Sequence, residues 1–178
     1  MTVLRQIQAY LRVFRSARRN RVDLFHWLRH RPQIFAGHAV YEMGLIASAR
    51  MNPQLKILAE LKAAALIHCE YCLDIGSALC LDSGISEVKL RALPNYRSSE
   101  LFDNDEKLVM EFAEAMSRQP VSVTAYLRER MIARFSRTEM TELAANLAWE
   151  NYRGRLNQAL DVRPSGFSEG AACALPES

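Results

Sequence analysis

Apolar residues recur at helical spacing along almost the whole chain, and no stretch alternates with period two for long enough to read as a strand. Glycine and proline are scarce, 7 and 6 in 178 residues, which excludes a turn-rich all-β architecture. The length suits one domain with a sizeable core. With 49% hydrophobic and 24% charged residues, the composition excludes a disordered or fibrous chain. No apolar run reaches the roughly 18 to 20 residues of a membrane span. The expectation is a single all-α domain.

Local signals place the helices. Val3/Leu4, Ile7, Leu11 and Phe14 form one apolar stripe. Short and long segments follow over Phe25–Arg29 and Gln33–Ala49. Asn52-Pro53 reads as an N-cap followed by proline at the first helical position. The helix it opens carries Leu55, Leu58, Leu61 and Leu66, with a break and restart expected near His68. Ser83-Gly84 stops the next helix. Ser86 caps a short helix that ends at Leu93-Pro94. Asp103-x-x-Glu106 and Ser136-x-x-Glu139 are capping boxes, the second opening a long helix to about Leu160. A further helix is expected over Thr124–Ala133.

Charge divides the chain unevenly. Residues 1–31 hold eight Arg against one Asp, a net +7, and the remaining fifteen Lys+Arg against nineteen Asp+Glu give −4. The reading is a basic N-terminal helical extension (1–31), a helical domain (32–163) and an irregular tail (164–178). No nucleic-acid motif accompanies the arginines, and the apolar face is short for a membrane contact. The arm is therefore expected to dock on the acidic body or on a neighbouring subunit, with no nucleic-acid partner.

Four cysteines are too few for a disulfide-stapled secreted scaffold, and the Arg-rich start lacks the apolar core of a secretory signal. The expected setting is cytoplasmic and reducing. There Cys69-Glu70-Tyr71-Cys72 is redox-active, metal-binding or structural. At the start of a helix, unpaired N–H groups and the dipole favour a thiolate, and the second sulfur lies close enough to trap an oxidised first one. A closed metal site needs about four ligands, and the candidates are poorly placed: His68 adjoins Cys69, and Cys80 lies eleven residues on. Cys80 reads as a core residue. Cys173 in the tail is either a second resolving thiol or a merely packed or exposed one.

The run Asn52-Pro53-Gln54-Leu55-Lys56 through a Leu/Ala-rich helix to His68-Cys69-Glu70-Tyr71-Cys72 resembles the carboxymuconolactone decarboxylase family, especially its alkylhydroperoxidase (AhpD-like) branch. So do Phe102-Asp103-Asn104-Asp105-Glu106, Pro120-Val121-Ser122-Val123 and Asn151-Tyr152-x-x-Arg155-Leu156-Asn157. The likeness covers about residues 30–163. It implies an AhpD-like multi-helix fold and a homo-oligomer, a trimer or hexamer. It also implies a peroxide-reducing dithiol in which Cys72 attacks a small hydroperoxide and Cys69 resolves. An external dithiol would restore the pair, and no metal or organic cofactor is required. The pattern departs at two places: Gly76 stands where that branch has a histidine, and Ile57 where it has a glutamate.

Glu60 lies three residues after Ile57, so it shares roughly the same helix face and is a candidate proton-transfer group. His68 is a candidate thiolate stabiliser beside the pair. On the last helix Glu150 and Asn157 fall on the apolar stripe with Leu143 and Leu147, as a polar clamp or part of the cysteine pocket. A charge there needs a partner, for which Arg153 or Arg155 is available. The leading reading is a thiol–disulfide oxidoreductase of peroxidase type. The alternative is a non-catalytic helical oligomer with a redox-sensing or structural cysteine pair. A lactone-directed lyase ranks below both.

Overall fold

The computed structural model describes residues 3–16, 23–169 and 174. Among these the regular elements are helices: α1 (Val3–Ser16), α2 (Asp23–Leu28), α3 (Pro32–Ala47), α4 (Pro53–Leu66), α5 (Glu70–Asp82), α6 (Glu87–Arg91), a 3-10 turn (Leu93–Asn95), α7 (Asn104–Ser117), α8 (Ala125–Arg134) and α9 (Arg137–Ala159). No helix among the described residues is long and apolar enough to cross a membrane.

The helix α4 is the axle of the fold. Leu55, Ala59 and Ala63, four apart, face one core with Val109, Phe112, Leu143 and Leu147. Leu58, Leu61 and Ala65 face the other, with Leu73, Leu90, Tyr96 and Met110. The run Ala63-Ala64-Ala65 is fully buried, small enough for α5, α7 and α9 to approach closely. Two buried ion pairs pin α4 to its neighbours. Lys56 Nζ meets Glu142 Oε1 at 2.7 Å, and Lys62 Nζ meets Glu114 Oε1 at 3.0 Å.

The caps form as read. Asn52 accepts from the Gln54 N–H, and both capping boxes close reciprocally. Gly84 sits at φ 90°, ending α5 in the left-handed region that glycine enters without steric cost. The expected break after α4 falls at His68, held at φ 56°.

The N-terminal helix corrects one expectation. Leu4, Leu11 and Phe14 of the sequence stripe are exposed, while Val13 is buried and Ala9 and Tyr10 pack on the core. Arg12 sits at the rim of this docked face. Its guanidinium holds Asp82 of α5 through two bonds, Nε to Oδ1 at 2.9 Å and Nη2 to Oδ2 at 2.7 Å. The described helix α1 thus packs on its own body. Arg18, Arg19 and Arg21 lie outside the described residues.

Among the described residues the tail holds no helix, yet residues 165–168 and 174 are built into the core. The buried Asp74 carboxylate accepts backbone N–H bonds from Ser165, Gly166, Phe167 and Ser168 at 2.7–3.1 Å, plus the Ser168 hydroxyl at 2.8 Å. Farther on, the Ala174 N–H donates to Ser77 Oγ at 2.9 Å. Cys173 lies outside the described residues. Asp74→Ala strips five donors of one acceptor and should cost about 3–5 kcal/mol. For a domain of this size that is a fall in melting temperature on the order of 10 °C. A thermal melt, with proteolysis in the tail as a second readout, checks it.

Candidate active site

The site starts where α5 starts. Cys69 is the N-cap, its Sγ accepting the Cys72 N–H at 3.2 Å as a serine hydroxyl would. Cys72 follows within the first turn, close to the positive end of the helix. The two sulfurs stand near disulfide distance, with Cα atoms 5.2 Å apart.

Long helix α9 roofs the pair. The Asn157 side-chain amide points Nδ2 at both sulfurs, 3.7 Å from Cys69 and 3.6 Å from Cys72. One turn earlier Gly154 leaves room for this approach. A Cβ there would clash with Ile67 Cδ1 and lie 3.4 Å from Cys69 Cβ. The two cysteines are not equivalent: Cys69 is sealed at 1% exposure, whereas Cys72 faces a small cavity of about 30 Å³. Tyr10, Ile57, Glu60, Leu61, Gly76, Glu150 and Arg153 also line it. Tyr10, Ile57, Glu60, Leu79 and Arg153 are shared with a larger cavity of about 340 Å³ between α1, α3, α4 and α5.

A charge cluster forms the common floor. Arg153 pairs with Glu150 and, at 2.9 Å, with Glu42 of α3, which also accepts the Trp149 indole N–H at 2.8 Å. Burial works against the Arg153 charge, but Glu150, Glu42 and Glu60 outweigh it and raise its pKa. Two carboxylates pair with this one guanidinium, and Glu60 lies near enough to feel its charge. Glu60 touches the cavity yet is surrounded by protein on its other sides. Burial pushes its pKa from 4.5 up to about 7; Glu150 and Glu42 add to the rise, while Arg153 and Lys56 offset part of it. It is therefore a carboxyl that exchanges a proton near neutral pH.

The sequence candidates separate in the folded chain. Cys69, Cys72, Glu60, Glu150 and Asn157 converge on one site. His68 does not: it is exposed on the α4–α5 turn and lines neither cavity. Ile57 and Gly76, the two departures, give this wall an apolar surface. A Cβ at Gly76 would meet Leu61 Cδ1 at 2.8 Å, so Leu61 occupies that space. Cys80 is a core residue whose thiol burial pushes up, with Glu60 adding. Tyr71 packs edge-on against Phe167, and burial pushes its phenol up to about 12. Among the described residues no group of three or more His, Cys, Asp or Glu could hold a metal ion. Tyr10 and Glu42 carried no sequence signal, because only the docking of α1 and α3 brings them here.

No protein-family model matches the chain. The uncharacterized protein YnjA of Escherichia coli is 35% identical over 127 residues, covering 71% of this chain and 67% of YnjA. The chain belongs to the YnjA family. Its fold is shared with the debrominase Bmp8, with a TM-score of 0.74 and 19% identity over 87% of this chain and 85% of that one. It is shared equally with a candidate AhpD antioxidant defence protein from Agrobacterium tumefaciens. There the TM-score is 0.73 and the identity 17%, over 78% of this chain and 94% of the other. Among the described residues the fold of this YnjA relative is thus all-α and shared with the candidate AhpD protein, with a Cys69–Cys72 pair at the start of α5.

Proposed function

We propose that this YnjA relative is a dithiol oxidoreductase that reduces a hydroperoxide. The observation that carries the reading is the asymmetry of the pair: Cys72 faces a cavity floored by Glu60, while Cys69 is sealed behind it. The Cys72 thiolate attacks the distal peroxide oxygen, the O–O bond breaks, and the alkoxide takes a proton from Glu60. Cys72 is left as a sulfenic acid. The Cys69 thiolate then attacks the Cys72 sulfur, expelling hydroxide, which leaves as water. The disulfide that forms holds the two electrons given to the peroxide, and an external dithiol returns them. The helix start and the Asn157 amide both favour negative charge on sulfur. The test is dithiol-dependent hydroperoxide consumption by the wild type, Cys69→Ser and Cys72→Ser. Equal, slow rates in all three would reject the enzyme reading in favour of a passive cysteine pair.

The size of the larger cavity favours a second reading, reductive dehalogenation. Bmp8 is a debrominase, and a cysteine-to-alanine variant of it was crystallised with 2,3,4-tribromopyrrole. In this chain Cys72 would take the halogen as a sulfenyl halide, Glu60 would protonate the carbanion, and Cys69 would expel halide to form the disulfide. Bromide release from a bromopyrrole under the same dithiol separates the two.

We also propose that the protein works as a homo-oligomer through α3. That helix buries none of its sixteen residues, although Ile34, Phe35, Val40, Tyr41 and Met43 are large and apolar. Gly37 and Gly44 have open space beyond Cα, so a second copy could approach closely. Its inner side supplies Glu42, Leu45 and Ile46 to the cavity wall. Val40→Glu should shift sedimentation from oligomer to monomer; an unchanged sedimentation coefficient would reject this face as the contact.

A further inference from the structure

The N-terminal helix lies outside the family-like core, yet it forms one side of the reaction cavity. Tyr10 lines both the larger cavity and the small one at Cys72. Its ring packs against the core, and burial holds the phenol protonated at any physiological pH, with Glu60 adding to the effect. Three contacts hold α1 in place: the bidentate Arg12–Asp82 pair, the buried Val13, and Phe14 set edge-on to Phe167 at 5.6 Å. Asp82 ends the same helix that Cys69 and Cys72 begin.

The cavity's positive charges are already committed. Among the described residues each cationic side chain that lines it is paired. Arg12 pairs with Asp82, Lys56 with Glu142, and Arg153 with Glu42 and Glu150. An anionic substrate would lose water without gaining a counter-charge. Leu45, Ile46, Ile57 and Leu79 offer an apolar bed. At about 340 Å³ the cavity falls within the ligand-pocket range. Hydrogen peroxide, comparable to a water of about 30 Å³, would leave it mostly empty.

Building on the oxidoreductase reading, we propose that α1 is a wall of the reaction site and Tyr10 a substrate-contacting residue. Its hydroxyl, beside Glu60, takes the acceptor atom of an uncharged organic substrate whose apolar body lies along α3 and α4.

The test reads selectivity at Cys72 and does not require turnover. Reduced full-length chain is alkylated with iodoacetamide and with iodoacetate, reagents of equal size but different charge. Modification of Cys72 is followed by peptide mass, with the unfolded chain as reference. Folding should raise the amide-to-acetate rate ratio at least tenfold. Tyr10→Phe should slow both iodoacetamide and cumene hydroperoxide about tenfold, the effect of one hydrogen bond, with the melting temperature unchanged. Arg12→Ala combined with Val13→Glu, which removes the ion pair and the buried anchor of α1, should erase the preference. A ratio equal to that of the unfolded chain, or a Tyr10→Phe protein that behaves as wild type, would overturn the assignment. If wild type reduces no hydroperoxide but keeps the Tyr10-dependent selectivity, the peroxidase reading falls and Tyr10 stands.

Discussion

Cys72→Ser should lower dithiol-dependent hydroperoxide consumption by at least a thousandfold, because a hydroxyl at that position is neither ionised nor nucleophilic near neutral pH. Cys69→Ser should behave differently. Cys72 still faces the cavity and still attacks once, but no resolving thiolate stands beside it. The variant should consume about one equivalent of peroxide and stop, with Cys72 held as a sulfenic acid that dimedone labels. Stopped-flow peroxide loss and the mass of the Cys72 peptide measure both. If Cys69→Ser loses the first turnover and Cys72→Ser keeps it, the roles are reversed. That outcome would mean the cavity geometry misleads about which sulfur meets substrate.

Glu60→Gln should slow the same reaction about a hundredfold, within the range for removing a general acid. Its pH dependence identifies the cause. The wild-type rate should fall as pH rises through about 7, where Glu60 releases its proton, and the variant should lack that limb. Stability carries the same signature with a definite sign. The unfolded carboxyl ionises near 4.5 and the folded one near 7, so between these values the folded chain holds the extra proton. This contribution is fully present below about pH 4.5 and is lost as pH rises to 7, by on the order of 2 kcal/mol after allowing for water in the cavity. Urea midpoints at pH 5 and pH 8 should differ more in wild type than in Glu60→Gln. Equal differences would show that Glu60 is not the buried acid.

Much of the helix plan was legible because its signals are local. The Asp103/Glu106 and Ser136/Glu139 boxes join a side chain to a backbone group three residues away, and both form. Asn52-Pro53 and Ser83-Gly84 likewise act within their own turns. The Cys69-x-x-Cys72 pair was readable for the same reason, since one helical turn brings its sulfurs together. Periodicity misled at α1, where Leu4 and Leu11 look like a buried stripe but are exposed. A wheel shows which residues share a face, and the partner decides which face is covered. Here Val13, Ala9 and Tyr10 fit the core surface and turn the other side inward.

By itself, then, the sequence determined an all-α chain, its helix boundaries and a vicinal-type dithiol at a helix start. Each of these depends on interactions within about four residues. Only the tertiary structure decided what surrounds the dithiol. Tyr10, Glu42, Glu60, Glu150 and Arg153 come from four different helices. Their spacing is set by how those helices pack, and the raised Glu60 pKa exists only because packing removes water and gathers two further carboxylates around it. The tail follows the same logic: residues 165–168 have no helical propensity to read, and they are ordered by one distant carboxylate, Asp74, that gathers their N–H groups.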